Sequence, residues 1–114
     1  MSNPHLDVIK EYVHTRDKMA DKHLKFAEII DKDFNNGFDK FLYQRISMEE
    51  INEMNDNSDK IEELRDKMYS LVKKPNTLDQ IEECAKEYIR ISNILSDFYD
   101  KVFDCYEQYN LGVD

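Results

Sequence analysis

The chain has few of the residues that build turns and catalytic loops. Two glycines, two prolines and no tryptophan occur among its 114 residues. All-β folds need frequent turns and flexible linkers are rich in glycine and proline, so both classes are excluded. Glycine-rich phosphate loops, the G-x-S-x-G elbow and C-x-x-C pairs do not occur in the sequence. We predict that the protein is not an enzyme and uses no cofactor.

Long apolar runs are also missing. No stretch approaches the roughly 20 apolar residues of a membrane span, and the start MSNPHLDVIK lacks the apolar segment of a signal peptide. Cys84 and Cys105 lie about 31 Å apart on one predicted helix, at ~1.5 Å per residue, and cannot bridge within it. We expect reduced, buried thiols and a cytoplasmic location, with an intermolecular disulfide as the alternative.

The spacing of the histidines does not match that of a metal site. Glu11-Tyr12-Val13-His14 has the E-x-x-H spacing of di-iron carboxylate bundles, but a second copy and two further inward glutamates are lacking. His5, His14 and His23 are nine residues apart, so successive rings point to opposite sides of a helix. We predict no metal site.

What the chain has in abundance is helical periodicity. Between Thr77 and Asn110, apolar residues recur without a gap at alternating steps of three and four, which is a heptad stripe. Its members are Ile81, Cys84, Tyr88, Ile91, Leu95, Phe98, Val102, Cys105 and Tyr109. Neighbouring apolar positions widen the stripe to about half the circumference at ~100° per residue, so this helix is expected to contact two neighbours. A core helix is the plainer interpretation, and a partner-binding face is the alternative.

A first helix is predicted from the capping pair Asn3-Pro4 to about Phe34, just before the Asn35-Asn36-Gly37 stop. Arg16 and His23 lie in the middle of its apolar stripe, where a polar group needs a partner. We predict a structural polar layer, in which they meet tyrosine hydroxyls or a carboxylate. A device that fixes helix register, or a pH switch through His23, is the sharper alternative.

A second long helix is predicted to open at Ser47-Met48-Glu49-Glu50, which has capping-box spacing, and to end at Pro75. Residues 55–59 contain no apolar side chain, and we expect a weak point, a kink or a frayed turn there. Thr77-Leu78-Asp79-Gln80 predicts another capping box at the start of the last helix, which is expected to stop near Gly112.

These elements predict an all-α fold in one domain over residues 1–114. The expected architecture is an elongated, coiled-coil-like, up-down-up bundle of three helices with a short connecting helix at about 38–46. Each long helix would extend about 40–50 Å at ~1.5 Å per residue, whereas a compact globule of this chain length is about 26–27 Å across.

This topology gathers aromatic residues at one pole, formed by the end of the first helix, the 38–46 segment, the start of the second helix and the end of the last. The rings placed there are Phe34, Phe38, Phe41, Tyr43, Phe98, Tyr99, Phe103, Tyr106 and Tyr109. Two interpretations of the 38–46 segment stay open: a lid that buries these rings, or a contact surface. Large aromatic side chains are enriched in interface hot spots, which favours the pole as the place to look for function.

Negative charge increases along the chain. The net charge is −9: residues 1–46 carry eight basic and eight acidic side chains, residues 47–77 five and eight, and residues 78–114 three and nine. Direct binding to nucleic acid or to a membrane needs a basic surface, so we predict neither. Solubility alone also accounts for the charge.

We predict a non-enzymatic protein–protein interaction module, such as a small helical subunit, adaptor or inhibitor, whose acidic, aromatic pole binds a basic or amphipathic protein. The predicted partner-binding residues are Phe38, Phe41, Tyr43, Glu49, Glu50, Glu53, Tyr99, Asp100, Phe103, Asp104 and Tyr106. A homodimer formed through the last helix is a close variant. The alternative is an acidic mimic of nucleic acid, of a phage or plasmid type, that inhibits a nuclease or DNA-binding protein.

Overall fold

The described part of the chain is helical throughout, apart from short connections. The computed structural model describes residues 4–112, and the side chains of residues 6–112. In chain order the elements are α1 (Pro4–Asp33), a 3₁₀ turn (Phe34–Asn36), α2 (Phe38–Tyr43), α3 (Met48–Val72) and α4 (Leu78–Asn110). The predicted all-α fold, with three long helices and a short one after the first, is confirmed. The predicted N-cap Asn3 lies outside the described residues.

Two predicted helix boundaries have the expected chemistry. Ser47 caps α3, since its Oγ accepts a hydrogen bond from the backbone N–H of Glu50 at 3.1 Å. Gly37 ends the 3₁₀ turn in the left-handed region, at φ 110°. A side chain there would also approach the Tyr109 hydroxyl, which lies 3.2 Å from the position of an added Cβ. Glycine therefore serves both the turn and the close packing of α4 against it.

Two other local predictions are wrong. α3 runs without interruption through 55–59, because Asn57 and Ser58 are half-buried beside α4 and tertiary packing compensates for the missing apolar side chains. Thr77 does not cap α4 with its side chain. Its hydroxyl instead donates a hydrogen bond at 2.7 Å to the Leu71 carbonyl, which also accepts one from the backbone N–H of Lys74 at 3.0 Å at the end of α3.

α4 is the central helix. α1 and α3 each pack along it, as the width of its apolar stripe predicts, and they contact one another far less. The Tyr12 ring lies 4.8 Å from that of Tyr88, and further along α1 the Lys22 ammonium lies 2.8 Å from Asp100, so α1 runs parallel to α4. The molecule extends 54 × 27 × 21 Å, which confirms the elongated shape.

The core is divided into two clusters along α4. The distal cluster joins α3 to the first half of α4 through Leu64, Met68, Leu71, Cys84, Ala85, Tyr88 and Ile91. The pole cluster joins α1, α2 and the second half of α4 through Ile29, Phe38, Leu42, Ile46, Val102 and Cys105. Both cysteines are buried and carry free thiols, as predicted. Between the two clusters, the inner face of α4 carries two buried serines, Ser92 and Ser96, in place of large apolar side chains.

Candidate functional site

The short helix α2 closes the pole as a lid. Phe38 is fully buried, and Leu42 and Ile46 are almost so. The Phe38 ring packs against the rings of Tyr106 and Tyr109, with centroid distances of 5.1 Å and 5.4 Å. Of the two interpretations of the 38–46 segment, the structure therefore supports the lid for these three apolar side chains.

Phe38 and Tyr99 were both predicted to be exposed anchors, and this part of the prediction is wrong. Tyr99 is only 4% exposed and Phe38 has no exposed surface. The Phe26 ring of α1 covers Tyr99 at a centroid distance of 5.1 Å, and α2 turns Phe38 inward onto α4. Burial raises the pKa of the Tyr99 hydroxyl. Both rings hold the fold together and are not available to a partner.

The other rings predicted on the 38–46 segment differ in exposure. Phe41 is half-buried, against Tyr109 at 5.5 Å and beneath the Arg45 guanidinium at 3.5 Å from the ring centroid. Tyr43 is 49% exposed and meets Phe34 edge-on. Phe41 and Phe103 both pack against the pole cluster. The predicted placement of these two rings at one pole is therefore confirmed.

A shallow groove of about 530 Å³ at the pole is lined by four of the predicted residues, three exposed neighbours and one lysine. This acidic groove is lined by Lys25, Asp100, Phe103, Asp104, Tyr106, Glu107, Asn110 and Leu111. It lies along the last three turns of α4, on the side next to α1. Lys25, Glu107, Asn110 and Leu111 are not among the partner-binding residues predicted from the sequence.

The acids of this groove are not equally available. Asp100 is paired with Lys22 at 2.8 Å. The side chains of Asp104 and Glu107 form no ion pair or hydrogen bond within residues 6–112 and are exposed. The one cation of the lining, Lys25, lies over the Phe103 ring, with its Nζ 4.4 Å from the centroid, in cation–π geometry. The groove therefore has negative charge free to meet a cationic partner.

The floor of the acidic groove is tied to α1. The Tyr106 hydroxyl donates a hydrogen bond to the Asp33 carboxylate. This bond, with a smaller effect of burial, raises the pKa of Tyr106 above its ordinary value of 10.0, because ionisation would remove the donor and place two negative charges together. Tyr106 thus remains a neutral, amphipathic contact residue across the physiological range.

Replacing Asp33 by asparagine is expected to lower the pKa of Tyr106 towards its ordinary value. A folded-state pKa that is raised contributes stability below the unfolded value of about 10, and this contribution disappears as the pH rises through the folded value. The variant should therefore lose less stability between neutral and strongly alkaline pH than the native chain does. Titration of ¹³C-labelled tyrosine by NMR measures the pKa, and Asp31→Asn, which removes the same charge one half-turn away, is the control. Equal titration of Tyr106 in both variants would contradict the assignment.

The predicted acids of α3 lie apart from the acidic groove. Glu50 and Glu53 line a separate depression of about 210 Å³ between α3 and α4, over an apolar floor that includes Met54 and Phe98. Glu50 is already paired with Lys101 at 2.6 Å, and this hydrogen bond lowers the pKa of its carboxyl group. Glu49 is exposed and lines neither depression. The predicted site is therefore split between two sides of α4.

The predicted polar layer is only partly present. His23 Nδ1 lies 3.3 Å from the Tyr99 hydroxyl, so the predicted contact with a tyrosine is confirmed. Arg16 meets the carboxylate of its neighbour Asp17 at 3.4 Å, a partner of the predicted kind. Half of its side chain is exposed, however, so its predicted position in the middle of the apolar stripe is wrong. Thr15 and Met19 of α1 are half-buried, so Arg16 lies at the edge of the face that packs on α4.

The polar layer that does form centres on Lys22. Its Nζ donates to Ser96 Oγ at 2.5 Å and to Asp100 Oδ1 at 2.8 Å, and its side chain is 19% exposed. Lys22 shares a seven-residue spacing with Val8, Thr15 and Ile29, all of them at least half-buried. That spacing is the sequence signal that could have identified it.

The described residues show neither a metal-binding group nor a membrane-spanning helix. Within residues 6–112 no group of three or more His, Cys, Asp or Glu side chains is placed to hold a metal ion. No helix in the same part of the chain is long and apolar enough to cross a membrane. Comparison of the chain with protein-family models, curated proteins and solved structures finds no match among any of the three.

Proposed function

We propose that this protein is a non-enzymatic interaction module that binds a basic, amphipathic helix of another protein in the acidic groove. The supporting observation is that free carboxylates and apolar contact surface occur side by side there. Asp104 and Glu107 are exposed and unpaired within the described residues, while Phe103 and Tyr106 are half-buried and Leu111 is 71% exposed. A helix with lysine or arginine on one face and large apolar residues on the other matches both parts.

The spacing of the groove residues suits a helical partner. Asp100, Asp104 and Glu107 follow one another at steps of four and three, so they form a row about 10 Å long at ~1.5 Å per residue. A helix lying beside α4 presents its own basic residues at the same steps. Opposite charges at an interface mainly accelerate encounter and set orientation, and the buried apolar contacts supply most of the affinity.

The test is a binding titration with a synthetic amphipathic helix of leucine and lysine, labelled with a fluorophore and measured by anisotropy. Asp104→Asn combined with Glu107→Gln is expected to weaken binding about tenfold, equivalent to about 1.4 kcal/mol. Leu111→Ser is expected to weaken it as well, since an exposed anchor is lost. Added salt should reduce the affinity of the native protein, because the interacting charges are exposed.

The matched control is Glu63→Gln combined with Asp66→Asn, two exposed acids of α3 outside the acidic groove. It removes the same charge from a different surface. Equal weakening by the two double variants would mean that binding follows net charge alone, and the groove would then lose its assigned role. A peptide with the same composition but a scrambled order tests whether amphipathicity is required.

The second candidate function is that of an acidic mimic of nucleic acid. The pattern of ion pairs on α4 supports this candidate. Each basic residue of α4 is paired with a nearby glutamate: Lys86 with Glu82, Arg90 with Glu87, and Lys101 with Glu50. The cations therefore do not neutralise Asp97, Asp104 or Glu107, which form no ion pair in the described part of the chain.

Displacement of fluorescent duplex DNA from a basic DNA-binding protein tests this second candidate. A mimic should displace the duplex with steep loss of effect on added salt, and Leu111→Ser should leave displacement unchanged because only charge is read. Displacement that is indifferent to salt, or abolished by Leu111→Ser, would exclude charge mimicry.

A further inference from the structure

A second groove opens in the middle of the molecule, between α1 and α3. It has a volume of about 400 Å³, and its floor is α4, through Tyr88, Leu95 and Tyr99. It exists because α1 and α3 each pack on α4 and contact one another little. This mid-bundle groove lies away from the pole and shares no lining residue with the acidic groove.

The mid-bundle groove carries positive charge in a protein whose net charge is −9. Arg16 stands on the α1 wall and Arg65 on the α3 wall. Arg16 contacts Asp17 at 3.4 Å and Arg65 contacts Glu62 at 3.9 Å, with half of each arginine side chain exposed. Such exposed ion pairs contribute little to stability. Each guanidinium has five N–H donors, of which one ion pair uses only a part. Both arginines therefore retain donors for a ligand.

Arg16 and Arg65 both influence the same pair of tyrosines, Tyr12 and Tyr88. The Tyr12 and Tyr88 rings meet edge-on at 4.8 Å, and the Arg16 guanidinium lies 6.0 Å from the Tyr12 ring. Burial raises the pKa of both tyrosines, while the positive charges of Arg16 and Arg65 oppose that rise at each of them. Arg16 and Arg65 thus stand on opposite walls of the groove and both influence Tyr88, which lies in its floor.

The rest of the groove is short and mixed in character. Met19 and Ala20 of α1, Ile61 of α3 and Leu95 of α4 supply its apolar part, and the polar side chains are those of His23, Ser58 and Glu62. The lining extends from residue 16 to 23 on α1 and from 58 to 65 on α3, which is about 10 Å at ~1.5 Å per residue, or two helical turns. The acidic groove, by comparison, runs along about 17 Å of α4, from residue 100 to 111. The shorter mid-bundle groove suits a small molecule.

We infer that the mid-bundle groove binds a small amphiphilic carboxylate, with its oxyanion between Arg16 and Arg65 and its apolar chain against Met19, Ile61 and Leu95. Arginine pairs recognise carboxylates through two parallel N–H···O bonds. The apolar walls remove the chain from water, which supplies the non-directional part of the affinity. This site is independent of the proposed partner at the pole.

Octanoate is the probe, and 1-octanol is its uncharged match. In a ¹⁵N-labelled sample of the full chain, octanoate should shift the amide signals of Ala20, Ile61 and Leu95 in a saturable way. Arg16→Gln combined with Arg65→Gln should weaken octanoate binding at least about tenfold, since two charge-assisted contacts are lost. Lys86→Gln combined with Arg90→Gln removes the same charge from the outer side of α4, and should change the affinity less than about twofold.

Glu62→Gln provides a variant with the opposite effect. It removes the carboxylate that competes for Arg65, so octanoate should bind a few times more tightly to it. Equal binding of 1-octanol, unchanged affinity in the arginine double variant, or signal shifts confined to residues of the acidic groove would each overturn the assignment. The Glu62→Gln result decides the question independently should the arginine double variant fail to fold.

Discussion

Replacing Phe38 by alanine is expected to lower the free energy of unfolding by about 3–5 kcal/mol, the range for truncating a fully buried phenylalanine. Phe38 has no exposed surface and lies between the rings of Tyr106 and Tyr109. Its removal leaves a cavity that Leu42 and Ile46, held on the same lid, are badly placed to fill. Urea denaturation followed by far-UV circular dichroism measures the loss.

Tyr43→Ala is the matched control for this prediction. Tyr43 ends the same short helix but is 49% exposed, so its truncation should cost less than about 1 kcal/mol. Similar losses for the two variants would show that α2 does not act as a buried lid. Truncating a pole ring would disturb the fold and the acidic groove together, whereas the surface acids Asp104 and Glu107 can be changed without touching the core.

The fold was predictable because its determinants are local. The heptad stripe of α4, the Ser47 cap and the left-handed position of Gly37 are each specified by residues a few positions apart. The failures at 55–59 and at Thr77 have a different cause. There the backbone state depends on contacts with another helix, and tertiary contacts override local preference.

The site was predictable only as a region. Placing Phe41 and Phe103 at one pole follows from helix lengths and connection order. Whether a ring there is exposed depends on the rotation of α1 about its axis and on the docking of α2, which leave Phe38 and Tyr99 buried. The apolar pattern of the 38–46 segment is compatible with either outcome, so the sequence alone did not decide between a lid and a contact surface.

The charged residues of the site were likewise predictable only in part. Glu50 of α3 pairs with Lys101 of α4 at 2.6 Å, and Asp100 of α4 pairs with Lys22 of α1 at 2.8 Å, so these two acids are neutralised on different sides of α4. Net charge by segment predicted the acidic pole but not which acids would be neutralised. The large apolar side chains left exposed at the distal end also escaped prediction: Leu6, Tyr69, Val72 and Leu78.

Two serines on the central helix should respond to alanine in opposite directions. Ser92 and Ser96 are 1% and 8% exposed and lie one turn apart on α4. Ser96 Oγ accepts the hydrogen bond from Lys22 Nζ. Ser92 Oγ has no hydrogen-bond partner within the described residues. Both substitutions change helix propensity equally, so their difference isolates the role of the hydroxyl.

Ser92→Ala is expected to raise the free energy of unfolding by about 1 kcal/mol, because a buried hydroxyl without a partner is removed. Ser96→Ala is expected to lower it by about 1–2 kcal/mol, since the Lys22 ammonium loses a charge-assisted partner in a half-buried position. Urea denaturation of the two variants beside the native chain gives both values. A loss at Ser92 as large as that at Ser96 would mean that the Ser92 hydroxyl is satisfied after all. Ser92 would then belong, with Ser96 and Lys22, to one continuous polar network between the two core clusters that joins α1 to α4.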